Sequence, residues 1–151
     1  LHILVVDLGC DKDTPLMLKS LQRSFPHCED DRGRRVHSWL GAENQKRVAD
    51  AVKAVRAGDA EQLGALMTAA QKDFDRSAIP ECPSQFAAPT LHAVLGDDTL
   101  AELCWGGKGI GCGGEGSAQL VCRDEAARDR AASYVRDELG MWCCGVDVGG
   151  S

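Results

Sequence analysis

The chain contains 151 residues, which is the size of one ordinary domain with one hydrophobic core. Seventeen Lys and Arg residues against 23 Asp and Glu residues give a net charge of −6, the wrong sign for a surface that binds nucleic acid or anionic lipid. Apolar residues make up 44% of the chain, and no apolar run approaches the roughly 18 residues of a membrane helix. Composition therefore predicts a folded domain without nucleic-acid or membrane partners.

Eight cysteines are spread along the chain, and no two of them form a Cys-x-x-Cys motif. Several lie in apolar runs, where a thiol behaves as a small hydrophobic group. This pattern favours a reduced, cytoplasmic protein and gives no support to a zinc ribbon or a thioredoxin-type redox pair. The chain begins at Leu1 without an initiator Met or a signal-peptide layout, which indicates a piece of a longer protein.

The first predicted elements are a strand and a helix. Residues 2–8 form a β-branched run that ends at Gly9, a pattern typical of a buried strand. Asp13 or Thr14 can cap the helix that follows, because a side-chain oxygen at that position accepts a hydrogen bond from a free N–H group of the first turn. The predicted buried face of this helix consists of Leu16, Leu18, Leu21 and Phe25.

Residues 27–42 carry many charges with little periodicity and are predicted to be a solvated connection. Three side chains in it are expected to return to the core: Val36, Trp39 and Leu40. Two antiparallel helices are predicted next, one from Glu43 and one over residues 60–76, separated by Gly58. Their predicted buried faces are Val48, Val52 and Val55 in the first and Leu63, Leu66, Met67, Ala70 and Phe74 in the second.

The second half predicts a helix capped by Thr90 and interrupted at residues 96–98, and then a hairpin of strands. The hairpin strands are residues 107–111 and 117–122, and a helix and a last strand over 142–148 follow. The order strand, helices, strand, strand, helix, strand is the split βαβ plan. It predicts an α+β, ferredoxin-like fold with a four-stranded antiparallel sheet and helices packed on one face.

Seven of the eleven residues from 106 to 116 are glycine. Such a cluster indicates positive φ angles or a backbone that must lie close to a ligand or to another segment. Gly109-x-Gly111-x-x-Gly114 matches the dinucleotide-binding fingerprint formally, but a strand-like segment follows it where the fingerprint requires a helix. The Walker A pattern also fails, because no Ser or Thr follows the lysine of this run. Two readings remain, a backbone that binds phosphate or a small polar substrate and a flexible hairpin tip.

The glycine segment resembles the third signature of the GHMP small-molecule kinases, which include galactokinase, homoserine kinase, mevalonate kinase and phosphomevalonate kinase. The residues that match in register are Lys108, Gly111, Gly113, Gly114 and Gly116. The elements on both sides fit the C-terminal domain of that family, so the resemblance covers residues 1–151 as a single domain. Gly109, Ile110 and Glu115 depart from the signature. Glu115 is expected to point outward, or to meet a sugar hydroxyl or a metal-bound water, because a carboxylate repels phosphate.

The resemblance implies that the loop contacts phosphate or substrate through Gly107, Lys108, Gly109, Gly111, Gly113, Gly114, Glu115, Gly116 and Ser117. It implies no catalytic residue and no metal ligand in this chain. ATP and Mg²⁺ are expected to bind mainly to an N-terminal kinase domain that this chain lacks. That domain and the small-molecule substrate are the expected partners of this chain. The predicted function is the C-terminal half of a kinase that phosphorylates a hydroxyl of a small metabolite, with a sugar as the favoured acceptor. The fragment alone is expected to be inactive.

The alternative is a stand-alone ferredoxin-like module that binds a ligand or a partner protein without catalysis.

Lys108 either neutralises phosphate charge or is an ordinary solvated side chain. His92 either faces the acceptor pocket or is half-buried and hydrogen-bonded. Residues 11–14 are within reach of the cleft, and Cys143 and Cys144 are expected to point to opposite faces of a strand. Gly113→Val is expected to lower kcat/KM by at least about tenfold with little loss of stability.

Overall fold

A computed structural model describes residues 1–28, 30–111 and 113–149, so Glu29 and Cys112 lie outside the described part. Its four strands are β1 (His2–Asp7), β2 (Cys104–Gly109), β3 (Ser117–Cys122) and β4 (Cys143–Asp147). They form one sheet in the order β2-β3-β1-β4, and every neighbouring pair is antiparallel. The predicted α+β, ferredoxin-like plan is confirmed.

The α-helices are α1 (Thr14–Gln22), α2 (Asp31–Ser38), α3 (Asn44–Ala57), α4 (Ala60–Ala78), α5 (Pro83–Phe86), α6 (Pro89–Leu95), α7 (Asp98–Leu103) and α8 (Glu125–Asp137). A π-helical turn, Trp39–Glu43, joins α2 to α3, and a 3-10 turn, Ile79–Glu81, follows α4. Five of the helices begin after an aspartate whose carboxylate accepts the N–H group three residues later. These caps are Asp13, Asp30, Asp59, Asp97 and Asp124.

The main core lies between one face of the sheet and helices α6, α7 and α8. Side chains alternate along each strand, so every second residue of β1 and β3 points to this face. The largest buried contributors from the sheet are Leu4, Val6, Leu120 and Cys122, and those from the helices are Leu91, Val94, Leu100 and Val135. This packing fixes where β2 and β3, and therefore the loop between them, lie relative to α6.

Helix α4 covers the outer edge of the sheet at β2. Two N–H groups of β2 that have no neighbouring strand donate to α4 side chains: Gly107 to Thr68 Oγ1 at 3.4 Å and Gly109 to Gln71 Oε1 at 2.8 Å. Unpaired N–H groups on an edge strand are costly when buried and invite pairing with other chains when exposed. The side chains of Thr68 and Gln71 therefore provide the hydrogen-bond acceptors that a fifth strand would otherwise provide.

The helix and the strand touch backbone to backbone at two glycines. A Cβ atom on Gly64 of α4 would lie 2.6 Å from the carbonyl carbon of Trp105, and one on Gly106 would lie 2.3 Å from the carbonyl oxygen of Gly64. Beyond the edge, Leu63 and Met67 of α4 pack on Val121, which points to the opposite face of the sheet. Glycine is required here because any side chain would push α4 away from β2.

Residues 27–42 are not a solvated connection as predicted. Asp30 caps helix α2, and Val36 of this helix is fully buried. The charged side chains that suggested a loop lie on the outer surface of α2, and the expected return of Val36, Trp39 and Leu40 to the core is confirmed by the cluster that they join. A helix this short shows less than three turns of periodicity, which is too little to identify it from spacing alone.

The predicted buried face of α1 is partly wrong and that of α3 is wrong. In α1, Leu16 and Leu18 are exposed and Met17 is buried in their place, while Leu21 is buried as predicted and Phe25 is half-buried beyond the end of the helix. In α3, the exposed side chains are Val48, Val52 and Val55, and the helix packs on α4 mainly through the small side chains of Ala51 and Ala54. Alanines allow α3 to approach α4 closely, and this tertiary requirement outweighs the burial of three valines. By contrast, Leu63, Met67 and Phe74 are buried as predicted.

The cysteines of the described residues are free thiols. Cys143 is buried and Cys144 is half-buried, as expected for neighbours on a strand. Cys104 and Cys122 face each other across β2 and β3 with their Sγ atoms 3.7 Å apart. Their shared hydrogen bond and burial raise the pKa of Cys104, so this residue stays protonated and acts as a core side chain.

Within the described ranges, no helix is long and apolar enough to cross a bilayer.

Gly64→Ala tests the contact between α4 and β2. On an exposed helix this change stabilises by about 1 kcal/mol. Here we expect a loss of about 1–3 kcal/mol in the free energy of unfolding, because the new methyl group meets backbone atoms of Trp105. Urea unfolding measures the change, with the exposed Ala65→Gly as the control for helix propensity. An increase in stability for Gly64→Ala would contradict the close contact.

Candidate functional site

The glycine loop, defined here as residues 110–116, connects β2 to β3. The N–H group of Ile110 donates to the carbonyl oxygen of Ser117 at 2.9 Å and closes the hairpin. Gly111, Gly113 and Gly116 have φ angles of +70°, +83° and +125°. Only glycine adopts these conformations without strain, so the turn itself accounts for part of the glycine content.

The carboxylate of Glu115 ties the glycine loop to helix α6. It accepts the N–H groups of Thr90 at 2.8 Å and Leu91 at 3.2 Å. Ala88 is the N-cap residue of α6 and has no side-chain oxygen that could accept hydrogen bonds from these N–H groups. The expectation that Glu115 points outward or meets a substrate is therefore wrong, and so is the predicted cap at Thr90, which lies in the first turn of the helix. Glu115 supplies the cap from the loop instead.

Gly113 and Gly114 of the glycine loop are buried against other elements. A Cβ atom on Gly113 would lie 2.3 Å from Cε2 of Phe74, and one on Gly114 would lie 2.6 Å from the carbonyl oxygen of Gln85 and from Cε of Met17. At the end of β1, the N–H group of Leu8 donates to the carbonyl oxygen of Gly116 at 2.9 Å. A flexible hairpin tip does not fit these contacts, because the loop is held on several sides.

Two lysines flank the glycine loop. The Nζ atom of Lys12 lies 2.9 Å from the place that a Cβ atom on Gly116 would occupy and 4.0 Å from the corresponding place on Gly111. Lys108 lies at the base of the loop and donates from Nζ to the carbonyl oxygen of Gly109 at 2.7 Å. Burial lowers the pKa of Lys108. In the described part of the chain neither lysine has a carboxylate partner, so both charges are available to an anion.

A cleft of about 300 Å³ opens beside the loop, between α1, the π-helical turn, α3 and α4. It is lined by Leu18, Leu21, Trp39, Leu40, Asn44, Arg47, Ala70, Gln71, Phe74, Lys108, Gly109, Gly111 and Gly113. Arg47 reaches it from α3 and is ion-paired with Asp73 of α4. The sequence pattern did not indicate Arg47, because the valine spacing predicts a different buried face for α3. Its spacing of four and seven residues from Ala51 and Ala54 was the available signal.

The predicted loop residues fall into three groups in the structure. Those that line the cleft are Lys108, Gly109, Gly111 and Gly113. Those that pack the loop in place are Gly114, Glu115 and Gly116, and those that belong to the sheet are Gly107 and Ser117. None of residues 11–14 lines the cleft, although Lys12 lies over the glycine loop that borders it.

His92 lies on the far side of α4 from the cleft. Its Nε2 atom is 3.4 Å from Oδ1 of Asp75, and the ring is half-buried. The expected half-burial of His92 is confirmed, its ring lies within ion-pair distance of Asp75, and it is not among the residues that line the cleft beside the glycine loop. Among the described residues, no three His, Cys, Asp or Glu side chains converge in a way that would hold a metal ion. The cleft therefore offers backbone and cationic groups, which suit the binding of an anion.

Comparison with known proteins gives matches at the level of three-dimensional structure. No family model matches the sequence, and no curated protein matches it. The structure of L. major mevalonate kinase in complex with R-mevalonate superposes with a TM-score of 0.74 at 17% identity, over 100% of this chain. The structure of Lactococcus lactis galactokinase complexed with galactose superposes with a TM-score of 0.59 at 14% identity, over 99% of this chain.

The chain has the fold of the GHMP small-molecule kinases. Both neighbours belong to that family, and the resemblance first noted in the glycine segment is confirmed at the level of the fold. The chain spans 44% of the mevalonate kinase and 46% of the galactokinase, so it corresponds to less than half of each.

The earlier expectation that Gly113→Val leaves stability nearly unchanged is wrong, because the space for a side chain is filled by Phe74. Phe74 cannot move aside easily, since Trp39 and Phe86 hold it with edge-to-face contacts at 5.4 and 5.3 Å. We expect even Gly113→Ala to lower the free energy of unfolding by about 2–4 kcal/mol, from overpacking and the positive φ angle together. Gly111→Ala has space and should lose only about 1 kcal/mol. Equal losses in chemical unfolding would contradict this packing.

Glu115→Ala tests the cap that the loop supplies to α6. We expect the free energy of unfolding to fall by about 1–2 kcal/mol, because the N–H groups of Thr90 and Leu91 lose their acceptor. The control is Glu102→Ala, on the exposed surface of α7, for which a change within about 0.5 kcal/mol is expected. Thermal and urea unfolding of both variants provide the comparison. A Glu115→Ala protein as stable as the control would show that the cap is unimportant.

Proposed function

We propose that this chain is the C-terminal part of an ATP-dependent kinase that phosphorylates a hydroxyl group of a small metabolite. The observation that carries the proposal is the rigidly packed glycine loop with Lys12 and Lys108 beside it, at the edge of an open cleft. The fold supports the same class, since both structural neighbours are small-molecule kinases. The ligands bound in these neighbours, R-mevalonate and galactose, both carry hydroxyl groups, which supports the acceptor class.

In this proposal the chain contributes positioning and charge to phosphoryl transfer. The γ-phosphoryl group carries negative charge throughout the reaction, and catalysis consists mainly in holding it in line and neutralising it. Lys108 and Lys12 provide cations on the two sides of the loop, and the bare backbone at Gly111 allows a phosphate oxygen to come close. Bound Mg²⁺ would supply further neutralisation. The ATP-binding loop and the catalytic acid are expected from polypeptide outside this chain.

Of the two lysines, Lys108 gives the stronger support for an anion site, because burial changes the pKa of its side chain. Because its environment lowers its pKa, the folded protein holds this charge less readily than water does. Such a cost is tolerated in functional sites, where a poorly solvated cation attracts an anion more strongly than an exposed one. The apolar neighbours Leu21, Phe74 and Trp39 complete a cleft wall that would exclude water around the reacting group.

Phosphoryl-transfer assays with the full-length protein that contains this chain test the proposal. The acceptor panel is galactose, mevalonate and homoserine with ATP and Mg²⁺, read by ADP release and by mass spectrometry of the product. Acceptor-dependent ADP release with a phosphorylated product supports a kinase, and a preference for galactose supports the predicted sugar acceptor. Absence of transfer to every acceptor, together with absence of ATP binding, would overturn the proposal in favour of a non-catalytic binding module.

Lys108→Met is expected to lower kcat/KM of the full-length protein by at least about tenfold, because a preorganised cation beside the phosphate is lost. Its stability should stay the same or rise, since a poorly solvated charge is removed. Lys108→Arg, which keeps the charge, should retain more activity than Lys108→Met. The control is Lys19→Met on the exposed surface of α1. Unchanged turnover in a folded Lys108→Met protein would remove Lys108 from the mechanism.

A further inference from the structure

A second and larger cavity, of about 550 Å³, lies on the other side of α4 from the glycine-loop cleft. We name it the α4–α6 cavity. It is lined by Thr68, Gln71, Lys72, Asp75, His92, Val94, Leu95, Gly96, Leu100, Ala101, Cys104, Trp105, Gly106, Gly107, Leu120 and Arg123. Its volume falls within the range of ordinary small-molecule sites. The glycine-loop proposal makes no use of this space.

One wall of the α4–α6 cavity is a polar stripe on helix α4. Its members are spaced at three and four residues and therefore share one helix face: Thr68, Gln71, Lys72 and Asp75. This face is partly open to solvent, because Gln71 is buried, Thr68 and Asp75 are half-buried and Lys72 is exposed. Here the polar groups are organised, because Gln71 Nε2 donates to Asp75 Oδ1 at 2.8 Å and His92 lies 3.4 Å from the same carboxylate oxygen.

The floor of the α4–α6 cavity is apolar. It is formed by Leu95 and Leu100 of α6 and α7 and by Cys104 and Leu120 of the sheet. Gly106 and Gly107 of β2 border this floor, and the strand packs closely on it, because a Cβ atom on Gly107 would lie 2.5 Å from a methyl group of Leu120. An apolar floor opposite a few fixed polar groups is the usual arrangement of a pocket that binds an organic ligand.

The positively charged guanidinium group of Arg123 lies at the end of the cavity where β2 begins. Its guanidinium carbon lies 4.1 Å from the centre of the Trp105 ring, a stacked cation–π arrangement. In the described part of the chain Arg123 forms no ion pair, so its N–H donors face no carboxylate. A guanidinium group fixed in this way is suited to bind a planar carboxylate with two parallel hydrogen bonds. Helix geometry places Asp75 and His92 roughly 10 Å along α4 from Thr68, toward the other end of the cavity.

We propose that the α4–α6 cavity binds a small organic monocarboxylate, with the carboxylate on Arg123 and a flat apolar body over Leu100, Cys104 and Leu120. The charge pattern favours this ligand over a neutral one, because Lys72 adds a second cation to the lining and Asp75, the one carboxylate that the described residues place there, is already engaged by Gln71 and His92. The size fits as well, since a two-ring carboxylate occupies well under half of the available volume. This binding is independent of phosphoryl transfer.

Titration of the full-length protein with 1-naphthoate tests the inference, and 1-naphthalenemethanol provides the same ring system without the charge. Isothermal titration calorimetry should give a Kd of about 1 mM or tighter for 1-naphthoate, the level expected for a probe of this size. Binding of the neutral probe should be at least tenfold weaker. Lys108→Met should leave binding of 1-naphthoate unchanged, which separates this cavity from the glycine-loop cleft.

Two matched pairs of variants locate the bound probe. Arg123→Met should weaken binding of 1-naphthoate at least tenfold, and Arg130→Met, on the exposed surface of α8, should not. Ala101→Phe adds a side chain at the exposed rim of the cavity and should also weaken binding at least tenfold, while Ala126→Phe on α8 should not. Unfolding temperatures of all four variants establish that they are folded.

Three results would overturn the inference. The first is absence of 1-naphthoate binding at concentrations up to several times the expected Kd. The second is equal binding of the charged and neutral probes, since Arg123 would then play no part. The third is binding that persists in folded Ala101→Phe, because the probe would then lie elsewhere. None of these results bears on the kinase proposal, which the acceptor assays decide separately.

Discussion

The contact between helix α4 and the edge strand β2 is the constraint on which the other features of this protein depend. Glycines at positions 64 and 106 bring the two backbones together, and the side chains of Thr68 and Gln71 accept the N–H groups that the strand cannot give to another strand. This contact closes the open edge of the sheet, which would otherwise be available for pairing with other chains. It also fixes the position of Phe74, one turn further along α4, directly under the glycine loop.

Helix α4 therefore separates two cavities with different chemistry. On one side, the glycine-loop cleft combines apolar walls with the cations Lys108 and Arg47 and suits an anion such as a phosphate group. On the other side, the α4–α6 cavity combines an apolar floor with Arg123 and suits a carboxylate. Gln71 lines both, because its amide oxygen accepts the N–H group of Gly109 and its amide nitrogen donates to Asp75. Gln71 is a buried polar residue of α4, and these hydrogen bonds satisfy both ends of its amide group.

The glycine loop illustrates that a sequence motif can have a structural and a functional cause together. Three of its glycines need positive φ angles, and two are buried so tightly that a methyl group would collide with Phe74, Gln85 or Met17. These demands explain much of the glycine content without any ligand. What they produce is a fixed stretch of backbone, tied by Glu115 to the start of α6 and flanked by two lysines. A rigid, cationic edge of this kind is what a phosphate site requires.

The sequence by itself determined the number and order of the strands, the helix start at Asp13 or Thr14, and the glycine segment, because each depends mainly on neighbours within a few residues. It placed the strand before the glycine loop at residues 107–111, whereas β2 is Cys104–Gly109. Only the tertiary structure decided which face of α1 and α3 is buried, where Glu115 binds, that Lys12 lies over the glycine loop, and that Arg47 and Lys108 line the same cleft. In α3, for example, both the valine stripe and the alanine stripe have helical spacing, and the close approach of α4 selects the alanines. Such choices depend on contacts between residues far apart in the chain, and local periodicity carries no information about them.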